Sequence, residues 1–137
     1  MKEIKPRITF VCVSLRGGGT ERIVTRLANH LCRSASVTIT TVTAEDPFYP
    51  LNPEIRLAIP EKALRARPKA IRAVGQVAHL YRALRKQRPN CCLIFGEDIA
   101  GVSGLIARFA GVQSVLLFLR GTPRRSFSGL NGSLNPL

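Results

Sequence analysis

Apolar residues along the chain follow two different periods. The first apolar run, residues 8–14 (ITFVCVS), is β-branched and nearly continuous, which predicts a strand buried on both faces of a parallel sheet. Three glycines follow it. Apolar residues then recur at helical spacing as far as Leu31, and Thr20 is the expected N-cap of this helix. The opening of the chain therefore predicts a strand, a glycine turn and a helix.

The same alternation continues towards the C-terminus. Strands are predicted at residues 37–42, 55–59, 91–95 and 114–119, and helices from Pro68 to just before Pro89 and at residues 99–110. Strands that alternate with helices predict an α/β fold with a Rossmann-like, doubly wound parallel sheet. We expect one domain over residues 1–125. Residues 126–137 are rich in Ser, Gly and Asn without a period, which predicts a disordered or severed tail.

The charge of the chain indicates an anionic partner. Lys and Arg number 21 against 8 Asp and Glu, a net charge of +13 that suits nucleic acid, phospholipid or phosphorylated substrates. The segment from Lys62 to Arg88 carries nine of these cations and no acid. An apolar stripe runs beneath them, formed by Ile71, Val74, Ala78, Tyr81 and Leu84. This pattern predicts peripheral contact with an anionic membrane through Arg72, Arg82, Arg85 and Lys86. The alternative is an ordinary helix whose stripe packs on the sheet.

Two other sequence features limit the possible sites. Cys12, Cys32, Cys91 and Cys92 have no metal-ligand spacing, so we interpret them as buried free thiols and expect no metal. The longest uncharged stretches fall well short of the ~20 apolar residues that span a bilayer.

Three loops are candidates for ligand binding, because a doubly wound sheet binds ligands beyond the carboxyl ends of its strands. They are residues 15–19, 96–98 and 120–125. Three consecutive glycines before a helix allow close backbone approach, and the amides at the helix start attract phosphate. The alternative is that the glycines serve only a tight turn. A P-loop lysine is absent, and the dinucleotide fingerprint G-x-G-x-x-G would place its last glycine at Arg22.

Four stretches of the chain resemble the family-four retaining GT-B glycosyltransferases, in the same order and at similar spacing. They are ITFVCVSLRGGGTERIVTRLANHL, VTITTVTAEDPFYPLNPEIRL, LRKQRPNCCLIF and FLRGTPRRSF. The resemblance covers roughly residues 7–128. It implies the N-terminal, acceptor-side half of a GT-B fold. In such enzymes a second Rossmann-like domain holds the sugar nucleotide, and this chain ends before one could begin. We therefore expect a fragment, a truncated gene product or one piece of a split enzyme, inactive alone.

The resemblance also implies site residues and substrates. The matched glycine turn and helix start contain Gly17, Gly18, Gly19, Thr20, Glu21 and Arg22, and the matched loop after the fifth strand contains Arg120 and Arg124. Gly96 and Glu97 are site candidates from their place after the fourth strand alone, since that loop varies too much in the family for roles to transfer. The three glycines would lie in the inter-domain cleft, near the donor diphosphate and the acceptor. The complete enzyme would use a nucleotide sugar as donor substrate, a glycan or lipid-linked acceptor, and no cofactor. The family commonly has Glu at the position of Leu119.

Two other functions stay open at this point. A nicotinamide-dinucleotide-binding domain fits the strand, turn and helix, although its fingerprint is broken at Arg22. A basic nucleic-acid-binding module fits the charge, but no known nucleic-acid-binding motif occurs, so we expect no specific nucleic-acid partner. We expect a cytoplasmic protein, peripheral on the inner face of the membrane if the basic segment binds lipid.

Overall fold

The computed structural model describes residues 4–119. Its elements in chain order are β1 (Arg7–Cys12), α1 (Gly19–Leu31), β2 (Ser36–Thr41), β3 (Arg56–Ala58), a 3-10 helix (Lys62–Ala66), α2 (Lys69–Gln87), β4 (Cys91–Phe95), α3 (Glu97–Phe109) and β5 (Ser114–Phe118). The predicted tail at residues 126–137 and the basic loop at 120–125 lie outside the described residues.

The five strands form one parallel sheet in the order β3-β2-β1-β4-β5. β1 lies at the centre and pairs with both β2 and β4, for example Phe10 with Ile39 and with Leu93. The chain first winds outward from β1 to β2 and β3, and then crosses back to β4 and β5 on the other side. This order confirms the predicted α/β, Rossmann-like fold and places the switch point between β1 and β4.

Successive β1 residues point to opposite faces of the sheet and enter two separate cores. Phe10 and Cys12 belong to the core beneath α1, together with Val24 and Ala28 of that helix. Val11 belongs to the core beneath α2 and α3. The sheet is therefore covered on both faces, as the continuous apolar character of residues 8–14 predicts.

Two helix starts differ from the prediction. α1 begins at Gly19, so the N-cap is Gly18 and Thr20 is the second residue of the helix. The expectation that Thr20 caps the helix is wrong, because the backbone already turns at the glycines, which need no side chain to do so. α3 begins at Glu97, two residues before its first predicted apolar residue, because Gly96 turns the chain directly from β4 into the helix.

The apolar stripe predicted for α2 is mostly not the face that packs on the sheet. Leu80 and Leu84 are the buried residues of α2, whereas Val74 is 69% exposed and Ile71 is 54% exposed. The sheet beneath the helix is partly polar: Thr9 donates a hydrogen bond of 2.8 Å to Gln87, the last residue of α2. Leu80 and Leu84 both lie in the second half of α2, so only that half rests on the apolar core.

Candidate functional site

The loops after β1 and β4 lie side by side at one edge of the sheet. The two strands are parallel neighbours, so their carboxyl ends meet at the same edge. A Cβ placed on Gly96 would lie 3.9 Å from Cγ2 of Val13, the residue that follows β1. The prediction that the glycine turn and Gly96 share one edge is therefore confirmed. Their binding roles stay a prediction.

The start of α1 offers free backbone amides at this edge. Gly18 is extended (φ −161°, ψ 177°), and no side chain of the described residues caps the helix. The first helical hydrogen bond runs from the amide of Arg22 to the carbonyl of Gly18, at 3.1 Å. The amides of residues 19–21 precede this bond, so the helix itself leaves them without carbonyl partners. Such amides, with the positive end of the helix dipole, attract an anion.

A carboxylate occupies the space next to these amides. A Cβ on Gly18 would collide with an Oε of Glu21, which shows that the Glu21 side chain folds back over the glycine. The pKa of the nearby Cys12 thiol is raised from 9.0 to about 12, mainly by burial and to a smaller extent by the negative charge of Glu21. The negative charge of Glu21 is favourable at a helix start but repels a second anion. A phosphate group could bind here only if Glu21 moves aside.

An aromatic pair covers the glycine turn from the β2–β3 connection. A Cβ on Gly17 would lie 3.1 Å from the ring of Phe48, and the amide of Phe48 donates to the carbonyl of Leu15 at 2.9 Å. The Tyr49 hydroxyl lies 3.5 Å from the carbonyl of Gly18. No periodicity in the sequence predicts that these aromatic residues contact the glycine turn. The feature that could have indicated the contact is the pair of aromatic residues between two prolines in DPFYP. The polar residues around this pair do not suggest a buried segment.

The loop after β4 is a single glycine followed by two acids. Gly96 has φ 124° and ψ 130°, a conformation that L-residues rarely adopt. Glu97 and Asp98 occupy the first turn of α3, where the helix dipole stabilises negative charge. Both side chains are exposed. They provide carboxylate acceptors for hydroxyl groups at the same edge as the glycine turn.

A hollow of about 550 Å³ adjoins the carboxyl end of β2. Its lining includes three cations, Arg65, Lys69 and Arg72, and the carboxylate of Glu45. Glu45 pairs with Arg16 of the glycine turn at 3.3 Å, which links the hollow to that turn. The space is large enough for a sugar phosphate, and its positive charge suits an anionic group.

The structure thus brings together most of the predicted ligand residues. Those at the carboxyl edge of the sheet are Gly17, Gly18, Gly19, Thr20, Glu21, Arg22, Gly96 and Glu97. Arg120 and Arg124 lie outside the described residues. Across residues 4–119, no three His, Cys, Asp or Glu side chains are grouped as metal ligands would be.

The four cations predicted to face a membrane line three different hollows. Arg72 lines the 550 Å³ hollow, whereas Arg82 and Lys86 line an open groove of about 880 Å³ between α2 and the 3-10 helix. Arg85 lines a third hollow. Arg82 and Lys86 share their groove with Ile71, so these two cations lie beside the apolar stripe.

Comparison with known proteins gives a match over part of the chain. No protein-family model matches the chain. Over 51 residues the chain is 37% identical to the GalNAc-alpha-(1->4)-GalNAc-alpha-(1->3)-diNAcBac-PP-undecaprenol alpha-1,4-N-acetyl-D-galactosaminyltransferase of Campylobacter jejuni. The matched stretch is 37% of this chain and 14% of that relative. The chain is similar to a glycosyltransferase.

The glycosyltransferase match agrees with the fold and does not favour the dinucleotide-binding alternative. It covers too little of either chain to assign the family-four GT-B group, and that assignment stays a prediction. None of the helices within residues 4–119 is long and apolar enough to cross a membrane.

Proposed function

We propose that this chain is the acceptor-side domain of a GT-B glycosyltransferase. The observation that carries the proposal is the uncapped start of α1, which follows three glycines at the switch point of the sheet. The partial match to a glycosyltransferase supports the same function. The complete enzyme transfers a sugar from a nucleotide-sugar donor to a glycan or lipid-linked acceptor.

The acceptor we propose carries a diphosphate. The similar Campylobacter jejuni enzyme is named for an acceptor linked to undecaprenol through a diphosphate. In this chain Lys69 and Arg72 supply positive charge in the 550 Å³ hollow, and the amides of Gly19 and Thr20 supply hydrogen-bond donors at the same edge of the sheet. The carboxylate of Glu97, at the same edge, accepts hydrogen bonds from sugar hydroxyl groups.

Nucleotide-sugar binding would need a second domain. The glycine turn forms one wall of a cleft, and in the enzymes that this chain resembles the other wall comes from the donor-binding domain. We therefore expect the purified chain to transfer no sugar and to bind uridine and guanosine diphosphate sugars no more tightly than about millimolar. Calorimetry tests this expectation. Micromolar binding, or turnover by the chain alone, would contradict it.

The proposed acceptor site is tested by titration with a short-chain prenyl-diphosphate N-acetylhexosamine. The measurement is the NMR chemical shift of each backbone amide. We expect shifts at the glycine turn and at Gly96. The double variant Lys69→Gln with Arg72→Gln should weaken binding at least about fivefold, since charge-assisted hydrogen bonds contribute ~1.5–3 kcal/mol. The matched control, Arg26→Gln with Arg33→Gln, removes the same charge from exposed positions elsewhere and should change affinity less than about twofold.

Glu21→Gln gives a test with an opposite sign. Removing the carboxylate that folds over Gly18 should tighten binding of the diphosphate about two- to fivefold, because a repulsive charge beside the amides is lost. The same change should cost ~0.3–1 kcal/mol of stability, since Glu21 complements the helix dipole. Weaker binding in this variant, or saturable binding of nicotinamide dinucleotide by the native chain, would contradict the proposed site.

We also propose that the groove beside α2 contacts anionic lipid. The groove combines exposed apolar residues, Ile71 and Val74, with the cations Arg82 and Lys86 at its rim. Exposed apolar side chains next to cations are typical of surfaces that lie on a membrane. A cytoplasmic, peripheral location follows from this proposal and from the proposed lipid-linked acceptor.

Sedimentation with vesicles tests the lipid contact. The chain should sediment with phosphatidylglycerol vesicles and not with phosphatidylcholine vesicles, and salt should release it because the attraction falls off within a Debye length. Arg82→Gln with Lys86→Gln should reduce sedimentation more than Arg26→Gln with Arg33→Gln. Equal loss from both pairs would mean that the net charge of the whole chain causes the binding.

A further inference from the structure

A third hollow lies at the opposite edge of the sheet from the glycine turn. It has a volume of about 320 Å³ and is lined by the start of β1, the end of α2 and the turn between α3 and β5. Its cations are Arg7, Arg85 and Arg88, and its lining contains no Asp or Glu. Neither ion pair found within residues 4–119 involves these arginines. Three guanidinium groups therefore share a small space without a carboxylate partner in the described part of the chain.

Hydrogen bonds fix the walls of this hollow. The Nε of Arg7 donates to the carbonyl of Arg88 at 2.8 Å, and the amide of Arg7 donates to Oδ1 of Asn90 at 2.8 Å. The amide of Asn90 donates to the carbonyl of Arg7 at 2.8 Å. These bonds tie the first residue of β1 to the chain that follows α2. The hollow is thus built on two elements held in register, not on a loose loop.

Two of the arginines keep their side chains available for a ligand. Within residues 4–119, the guanidinium groups of Arg85 and Arg88 donate no hydrogen bond to a protein atom, and both residues are exposed. A Cβ on Gly111 would lie 4.0 Å from Nη1 of Arg85, so this guanidinium lies against the α3–β5 turn. The glycine, at φ 89°, presents no side chain to that group.

The positions of these cations have a partial explanation in the helix dipole, which favours cations at the C-terminus of α2. That explanation covers Arg85, in the last turn of α2, and Arg88, its C-cap residue. It does not cover Arg7, which comes from a strand, or the arrangement of three cations around one hollow. The guanidinium group is planar and matches the oxygen atoms of a phosphate with paired hydrogen bonds. The space suits a phosphate or a diphosphate and is small for a nucleotide.

We propose that the hollow formed by Arg7, Arg85 and Arg88 is a second anion site, which binds a phosphate group at the amino-terminal edge of the sheet. The site is separate from the proposed acceptor site, because the two lie at opposite edges. The phosphate group belongs either to a free phosphate or to the headgroup of an anionic lipid. The chemistry of recognition is the same in both cases.

The test compares two double variants of the full chain. Arg85→Gln with Arg88→Gly removes two cations from the hollow. Arg88 is left-handed at φ 46°, a conformation that glycine adopts freely, so the change should not lower the melting temperature. Arg26→Gln with Arg56→Gln is the control, since it removes the same charge from exposed positions outside the hollow. Arg85→Gln alone serves if the first double variant does not fold.

Inorganic phosphate and pyrophosphate, titrated at constant ionic strength, probe the free form of the ligand. We expect changes in the NMR chemical shifts of the Gly111 and Gln113 amides. The affinity for these anions should be at least about fivefold weaker in the Arg85/Arg88 variant but less than about twofold weaker in the control. If free phosphate causes no shift, phosphatidylglycerol vesicles should bind, with a larger loss in the Arg85/Arg88 variant, and the ligand is then a lipid headgroup. No response to either probe, or equal losses in both variants, would overturn the proposal.

Discussion

Gly96 provides a sharp test of the geometry at the candidate site. Its φ of 124° and ψ of 130° lie outside the regions allowed to L-residues. A Cβ at this position would have ordinary contacts, the nearest at 3.5 Å to Ile99. Replacement of Gly96 by Ala therefore introduces backbone strain without a steric clash. Strain of this kind costs ~1–3 kcal/mol, and the free energy of unfolding should fall by that amount.

Gly101 in the same helix gives the matched control. It lies inside α3, and a Cβ there would have no heavy atom within 4 Å. Gly101→Ala should raise the free energy of unfolding by ~0.5–1 kcal/mol, because alanine loses less backbone entropy in a helix. The same chemical change, five residues apart, is therefore expected to act with opposite signs.

Urea denaturation, monitored by circular dichroism, measures the free energy of unfolding of both variants. A difference of 1 kcal/mol also shifts the melting temperature by roughly 2–8 °C for domains of this size. Gly96→Asn adds a second check, because asparagine tolerates the left-handed helical region near φ +57° and ψ +47° but not the region that Gly96 occupies. If Gly96→Ala is as stable as Gly101→Ala, or if asparagine restores full stability, the turn between β4 and α3 has been assigned the wrong conformation.

Two further predictions follow from burial. Leu84→Ala should lower the free energy of unfolding by ~2–5 kcal/mol, because it leaves a cavity under α2. Val74→Ala, on the exposed stripe, should change that free energy by no more than ~0.5 kcal/mol. A larger loss at Val74 would show that the stripe packs on the core. Burial raises the pKa of the Cys12 and Cys92 thiols to about 12, and raises that of the partly exposed Cys91 as well. Iodoacetamide at pH 8 should therefore alkylate Cys91 before the other two, and mass spectrometry follows the labelling of each cysteine. Faster labelling of Cys12 would contradict its burial.

Much of this fold was predictable because the strands carry strong local signals. The run at residues 8–14 is apolar on both faces, and a parallel central strand is where such a run is stable. The glycine turn and Gly96 were placed at one edge because the strand order follows from the alternation of strands and helices. The cysteine prediction was right for Cys12, Cys32 and Cys92, which are buried free thiols, and wrong for Cys91, which is free but only partly buried.

The packing of α2 could not be read from the sequence. Its apolar residues form more than one stripe, and periodicity alone does not say which stripe meets the sheet. The choice depends on partners far away in sequence, such as Val11 of β1, which shares a core with Leu80 and Leu84. The contact of Phe48 with Gly17 was missed for a similar reason, since a loop residue shows no period that reveals its neighbour.

The positions of the charges follow from the same topology. In a parallel sheet every connecting helix begins at the carboxyl edge and ends at the amino edge. Acids that favour helix starts, such as Glu21 and Glu97, therefore collect at one edge, and cations that favour helix ends, such as Arg85 and Arg108, collect at the other. The basic segment looked like one surface because its cations are close in sequence. The fold instead distributes them among separate hollows, so a phosphate site at the amino edge and an acceptor site at the carboxyl edge must be tested with different variants.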